Sequence, residues 1–169
     1  MKKRIVALTG FMGCGKSSVG RELAALTDAH FADLDTLIVR RERRSIPEIF
    51  RAGGEDEFRR VEFEALEAFL DKAESIWKPS VLALGGGTFC WPKSRGELLA
   101  RTESVYLRTS LQEIRSRLGS SDSSRPLFDD ADRLFAAREP VYSQASLTFD
   151  TTGRSVREVA ELLRDTLFA

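Results

Sequence analysis

The feature that most limits how this chain can fold is a glycine-rich segment between a short apolar run and an amphipathic stretch. RIVAL at residues 4–8 is typical of a buried strand, and residues 16–26 carry apolar side chains at helical spacing. Between them, GFMGCGKSS at residues 10–18 fits the pattern G-x-x-x-x-G-K-[ST]. Glycines allow positive φ and a close approach of backbone N–H groups to phosphate oxygens, and the helix that follows adds its positive end. The sequence therefore predicts a phosphate-binding loop between a strand and a helix.

This loop predicts a nucleotide ligand and two functional side chains. Lys16 is expected to reach the β- and γ-phosphates, and the Ser17 hydroxyl is expected to coordinate Mg²⁺. The alternative is a turn that happens to contain glycines, but the pattern arises by chance in roughly one chain in a few hundred of this length. The motif does not distinguish a kinase from an ATPase or a GTPase.

Composition argues against several other classes of protein. The 26 basic and 26 acidic residues cancel, so the basic excess of a nonspecific nucleic-acid binder is missing. No apolar run approaches the roughly 20 residues that span a bilayer, and the run after MKKR is too short for a signal peptide. Cys14 and Cys90 form no metal-binding pattern, and two free thiols are preferred here to a disulfide. We therefore expect a cytoplasmic protein and, with no obvious apolar stripe, a monomer.

Strand-like and helix-like segments alternate along the chain. Further strands are predicted at residues 31–34, 80–84, 104–107 and 147–150. Helices are predicted at residues 36–43, 47–52, 55–72, 111–118, 132–146 and 156–167, with one more ending at 97–100. This alternation predicts an α/β fold, a three-layer sandwich in which a five-stranded parallel sheet has helices on both faces. We expect one domain over residues 1–169, with the polar segment 119–130 as a mobile lid.

Acidic residues and glycines follow two of the predicted strands. Asp33 and Asp35 lie two apart in FADLD, and such residues share one face of a strand, so both carboxylates are expected in the ligand crevice of an open α/β sheet. One would support Mg²⁺ and the other would accept a hydrogen bond from a substrate hydroxyl. Taken alone, the pattern fits an acidic turn with Asp35 as a helix N-cap better. The glycines at 85–87 permit close approach of a ligand, or form a simple flexible turn.

Three arginines suit anion binding. Arg125 lies in the polar segment and fits a group that closes over a transferring phosphate. Arg59, in EFRRVE, and Arg138, before Glu139-Pro140, suit bidentate binding of a substrate carboxylate. Taken alone, Arg59 is equally consistent with a solvated surface charge.

In chain order these segments resemble the shikimate kinases, small P-loop enzymes of the nucleoside-monophosphate-kinase-like group. The matching segments cover most of the chain and are GFMGCGKSSVGRELA, FADLDTLI, SIPEIFRAGGEDEFRRVE, LALGGGTF, RPLF and REPVY. EFRR and GGG are much more specific than the loop motif. The resemblance implies ATP-dependent phosphorylation of the 3-hydroxyl of shikimate, with Mg²⁺, in aromatic amino-acid biosynthesis.

The resemblance also implies roles for individual residues. The expected shikimate-binding residues are Asp35, Arg59, Gly85, Gly86, Gly87 and Arg138. The expected nucleotide-binding residues are Gly13, Cys14, Gly15, Lys16, Ser17, Ser18, Arg117, Arg125 and Arg154. Lys16, Asp35 and Arg125 are expected to be catalytic. Ser17 and Asp33 are expected to bind the metal ion.

Three other functions remain open from the sequence. A related small-molecule kinase, acting for example on gluconate, predicts the loop and the lid but gives no reason for Asp35, Arg59 and Arg138 to occur together. A GTPase would normally carry an N-K-x-D motif, which the sequence lacks. A catalytically silent binding protein does not explain why every loop and lid residue of the reaction is present.

The segment after GGG departs from the family pattern. It carries Phe89, Cys90 and Trp91 where smaller residues are expected.

Overall fold

The core of the fold is a parallel sheet of five strands. The computed structural model describes residues 4–118 and 125–169, and the structural statements below concern those residues. The strands are β1 (Ile5–Thr9), β2 (His30–Asp33), β3 (Ser80–Ala83), β4 (Glu103–Arg108) and β5 (Leu147–Asp150). Their order is β2-β3-β1-β4-β5, and every neighbouring pair is parallel. The predicted α/β class and the parallel sheet are confirmed.

Helices connect the strands. They are α1 (Lys16–Thr27), α2 (Leu34–Glu42), α3 (Ile46–Ser75), α4 (Pro92–Arg101), α5 (Leu111–Leu118), α6 (Arg125–Tyr142) and α7 (Val156–Leu167), with a 3₁₀ turn at Thr88–Cys90. Gly54 interrupts α3 with φ 69° and ψ −162°, so the two helices predicted there meet at a kink. None of the described helices combines the length and apolar character that crossing a bilayer requires.

Separate apolar cores cover the two faces of the sheet. Ile5 and Ala7 of β1 pack into a core shared with α2, α3, α4 and α6, whereas Val6 and Leu8 pack into a core shared with α1 and α7. Alternate side chains of a strand point to opposite faces, and all five residues of β1 are buried. This arrangement confirms the three-layer prediction.

The acidic segment after β2 has a different local structure from the one predicted. β2 ends at Asp33, and Asp35 lies in the first turn of α2 rather than on the strand. The helix starts early because Leu34 and Ile38, one helical turn apart, are both completely buried. The N-cap is Asp33 and not Asp35, since the Asp33 carboxylate accepts a hydrogen bond from the Thr36 N–H at 3.2 Å.

Part of the segment predicted as a mobile lid is helical. Residues 119–124 lie outside the described residues, whereas residues 125–130 form the beginning of α6. Pro126 is compatible with this start because the first helical turn needs no N–H donor from its residues. Pro140, predicted to bend or end a helix, lies two residues before the end of α6.

Candidate active site

The glycine-rich loop joins the carboxyl end of β1 to the amino end of α1. Gly10, Gly13 and Gly15 have φ values of 149°, 77° and 91°, which other residues rarely adopt. The first turn of a helix leaves backbone N–H groups without intrahelical partners, and α1 begins at Lys16 directly after this loop. The loop therefore has the backbone conformation and the unpaired donors that a phosphate group requires.

Hydrogen bonds hold the functional side chains of the loop. Lys16 Nζ donates to the carbonyl oxygens of Gly10 and Phe11 at 2.7 and 3.1 Å. The Ser17 hydroxyl donates to Asp33 Oδ2 at 2.6 Å. The pairing of Ser17 with Asp33, which are distant in sequence, was predicted for the metal site.

Ser17 and Asp33 together fit a Mg²⁺ ion that arrives with a nucleotide. Mg²⁺ in phosphotransferase sites is held by one or two protein oxygens, by phosphate oxygens and by water. Among the described residues there is no group of three or more His, Cys, Asp or Glu side chains that could hold a metal ion. The donor set thus suits a nucleotide-bound ion better than a structural metal.

Three charged side chains converge on the glycines that follow β3. A Cβ added to Gly85 would lie 3.1 Å from Asp35 Oδ1. One added to Gly87 would clash with Arg59 Nη2 and lie 3.1 Å from Arg138 Nη2. A side chain at Gly85 or Gly87 would displace these charged groups, and the structure brings together the three side chains predicted to bind substrate.

Arg59 is oriented by a buried carboxylate. Its Nη1 donates to Glu62 Oε1 at 2.5 Å, and the Thr88 hydroxyl donates to Glu62 Oε2 at 2.9 Å. Glu62 is 1% exposed and Arg59 is 8% exposed, so the surface-charge interpretation of Arg59 is wrong. Within the described part of the chain, Arg59 Nε has no hydrogen-bond partner, as Glu55 Oε1 is 3.6 Å away.

Arg138 is positioned through its helix. The Tyr142 hydroxyl donates to the carbonyl oxygen of Gly86, and the Tyr106 hydroxyl of β4 donates to the Glu139 carboxylate. No carboxylate in the described ranges forms an ion pair with Arg138. Two guanidinium groups therefore meet at one turn, where their donors can bind an anionic ligand.

Arg117 contacts the glycine-rich loop, and Arg154 lies in the turn after β5. Arg117 Nη1 donates to the carbonyl oxygen of Gly13 at 3.0 Å, and its Nη2 pairs with Glu113 at 3.3 Å. The Gly153 N–H donates to the same Glu113 carboxylate at 3.3 Å, which holds the turn of Arg154 close to α5. Arg154 itself is exposed. The contact of Arg117 with the loop is compatible with a nucleotide-binding role, and for Arg154 that role stays a prediction.

Three more residues were predicted to bind the nucleotide: Cys14, Ser18 and Arg125. The Cys14 side chain is buried and its N–H donates to the carbonyl oxygen of Phe11 at 3.2 Å, while Ser18 lies exposed in the first turn of α1. Cys14 and Cys90 are both free thiols, and burial raises the pKa of Cys90. The side chain of Arg125 lies outside the described part of the chain.

Glu62 and the aromatic contacts of Arg59 were not predicted from the sequence. Glu62 lies three residues after Arg59, and this spacing puts both side chains on one face of a helix. The spacing alone could have predicted that the two side chains form an ion pair. Phe50 stacks on Phe58 with ring centroids 4.8 Å apart, and the Arg59 guanidinium lies 5.1 Å from the Phe58 ring. Trp91 lies 5.9 Å from the same guanidinium and forms a second aromatic wall.

Comparison with known proteins decides the family. The family model of shikimate kinase matches residues 12–168. The chain belongs to the shikimate kinase family. A shikimate kinase of Thermus thermophilus is 44% identical over 169 residues, which cover 96% of this chain and 89% of that protein.

Solved structures of shikimate kinases agree with this family assignment. Shikimate kinase from Acinetobacter baumannii, in complex with shikimate, superposes with a TM-score of 0.84 at 32% identity, covering 99% of this chain and 94% of that one. Shikimate kinase from Bacteroides thetaiotaomicron superposes with a TM-score of 0.85 over 98% of both chains. At 24% identity the second similarity concerns the fold alone.

Proposed function

We propose that this protein transfers the γ-phosphoryl group of ATP to the 3-hydroxyl of shikimate, giving shikimate 3-phosphate and ADP. The observation that carries the proposal is the convergence of Asp35, Arg59 and Arg138 on the glycine turn after β3. A carboxylate with two guanidinium groups matches a substrate that has hydroxyl groups and a carboxylate. Membership of the shikimate kinase family supports the same substrate.

The substrate side of the reaction depends on orientation. Arg59 and Arg138 bind the shikimate carboxylate with their charged forks, and the backbone of the glycine turn borders the ring. Asp35 accepts a hydrogen bond from the 3-hydroxyl and directs its oxygen toward the phosphate. Full proton abstraction is not required, because a loose phosphoryl-transfer transition state needs little activation of the nucleophile. Most of the rate enhancement then comes from holding the reacting atoms in line.

The nucleotide side depends on neutralisation of charge. Lys16 and the first-turn N–H groups of α1 bind the β- and γ-phosphates, and Ser17 and Asp33 hold Mg²⁺, which when bound offsets phosphate charge. Arg117 and Arg154 are proposed to lie near the adenine. Arg125 is proposed to meet the transferring phosphate from the segment predicted as a lid.

An assay of ADP formation tests this function. We expect turnover with Mg-ATP and shikimate, and none with quinate, gluconate or no acceptor. Turnover with gluconate in place of shikimate would contradict the substrate while leaving the kinase mechanism intact. ATP binding without turnover on any acceptor would favour the silent binding protein.

Replacing Gly87 with alanine is expected to raise the KM for shikimate about tenfold or more. Gly87 has φ −106°, so alanine adds no backbone strain, and its Cβ would displace the Arg59 guanidinium. A displacement of about 1 Å in a positioning group can cost about 100-fold in rate. Steady-state kinetics measures the effect. Gly96→Ala is the control, because a Cβ there meets nothing within 4 Å, and a Gly87→Ala KM within twofold of wild type would contradict the clamp.

The carboxyl of Asp35 is expected to titrate above the usual range of an aspartate. Burial raises its pKa and the charge of Asp33 raises it further, while Lys16 and Arg59 oppose the rise. As the pH falls through this raised pKa, the carboxylate is protonated and no longer accepts a hydrogen bond, so kcat/KM for shikimate falls on the acid side.

Carbon-13 NMR of the aspartate carboxyls of the ligand-free protein measures this pKa directly. Asp33→Asn is expected to lower the pKa of Asp35, because the variant removes a neighbouring negative charge. Asp28→Asn is the control, since Asp28 is exposed and pairs with Lys78. An Asp35 pKa that is the same in both variants would contradict the effect of the Asp33 charge on Asp35.

A further inference from the structure

A cavity lies at the edge of the sheet, away from the glycine-rich loop. It has a volume of about 390 Å³ and lies beside the edge strand β2, between α2 and the second half of α3. Neither Lys16, Asp35, Arg59 nor Arg138 lines it. The volume falls within the range of small-molecule sites in proteins, about 300–1,000 Å³.

The walls of this edge cavity are mainly apolar. Phe31 of β2, Leu37 of α2 and Phe69 of α3 contribute large side chains. α3 also contributes Ala65, Ala68 and Ala73 on the same helix face, where short side chains leave the space open. The cavity therefore offers two aromatic rings and an aliphatic surface to a ligand.

The titratable side chains that line the edge cavity are all basic. They are His30, Arg41 and Lys72. Arg41 and Lys72 are exposed and, in the described part of the chain, neither side chain has a hydrogen-bond or ion-pair partner. The nearest carboxylate in sequence to Lys72 is Asp71, and it pairs with Arg101 at 2.6 Å.

We propose that the edge cavity is a binding site for a small aryl carboxylate, with the ring among the apolar walls and the carboxylate at Arg41 and Lys72. A neutral hydrocarbon would leave both cations without a counter-charge, and an inorganic anion would leave the aromatic walls in water. Only a ligand with one apolar and one anionic end satisfies both parts of the cavity. This site is separate from the substrate site proposed above.

Calorimetric titration of the full chain with 2-naphthoate tests the proposal and needs no catalytic turnover. We expect one site per chain and no binding of the neutral 2-naphthamide. Arg41→Glu is expected to weaken binding about tenfold or more, because one charge-assisted contact is lost and a like charge is introduced. Arg40→Glu is the matched control: the same charge changes one residue away, on a side chain that does not line the cavity.

Two further variants separate the edge cavity from the arginines of the active site. Ala68→Phe is expected to fill the cavity and abolish binding, with a melting temperature close to wild type because Ala68 is exposed. Arg138→Ala is expected to leave the affinity for 2-naphthoate unchanged. Loss of binding in Arg138→Ala with retention in Arg41→Glu would place the ligand at the active site and overturn the proposal. Absence of binding to the wild type up to about 1 mM would also overturn it.

Discussion

Replacing Lys16 with methionine is expected to lower kcat by about 10² to 10³-fold, the usual loss when one preorganised electrostatic group is removed. Lys16 Nζ already lies at the centre of the loop, donating to the carbonyl oxygens of Gly10 and Phe11 at 2.7 and 3.1 Å. These neutral acceptors hold the ammonium group in place without neutralising it. Its charge is therefore available to phosphate oxygens when a nucleotide binds.

Methionine is the informative substitution because it keeps an unbranched apolar stem and removes only the charge. The measurement is kcat at saturating Mg-ATP and shikimate, together with thermal unfolding. Lys78→Met is the control, since Lys78 pairs with the exposed Asp28 far from the loop in sequence. A Lys16→Met kcat within tenfold of the wild type would exclude Lys16 from transition-state stabilisation.

Replacing Arg59 with lysine is expected to lower kcat/KM for shikimate by about 10- to 100-fold, mainly through KM. A charge-assisted hydrogen bond contributes about 1.5–3 kcal/mol, and lysine cannot present the two parallel donors of a guanidinium. Arg59→Ala would be less informative. It would leave Glu62 buried without a counter-charge, and removing one partner of a buried ion pair costs about 3–5 kcal/mol of stability.

Lysine keeps the positive charge beside Glu62, so a kinetic effect reports on recognition of the carboxylate. Arg60→Lys is the matched control: it is the next residue of the same helix, and it pairs with Glu57 and Glu64 at the surface. We expect its kinetics to stay within about twofold of wild type, as exposed ion pairs contribute little. An Arg59→Lys KM equal to that of Arg60→Lys would contradict the carboxylate clamp.

Local patterns predicted much of the fold. The helix predicted at residues 111–118, the strand at 147–150 and the helix at 156–167 have the observed bounds. These patterns succeed because the apolar period and the capping residues of a segment lie within the segment itself, as with Ser155 and Glu158 at the start of α7. The strand position of Asp35 was wrong because burial of Leu34 and Ile38 against distant partners decides where α2 begins.

The pairing of distant residues could not be derived in the same way. Composition and spacing alone gave no reason to join Arg59 to Arg138, and the resemblance to the shikimate kinases supplied that grouping. Glu62 and Thr88 were missed, because a buried carboxylate on a helix looks like a surface charge in the sequence. The edge cavity could not be predicted from the sequence either, since alanines such as those that line it are common in ordinary helices.

By itself the sequence determined the phosphate-binding loop and the alternation of strands and helices, since both depend on residues close together in the chain. Only the tertiary structure decided that Asp35, Arg59 and Arg138 meet at one glycine turn, and that β2, α2 and α3 border a cavity whose two cations have no ion-pair partner among the described residues. The physical reason is that these three residues lie on α2, α3 and α6, which are far apart in the chain and come together only when they pack into one core against the sheet.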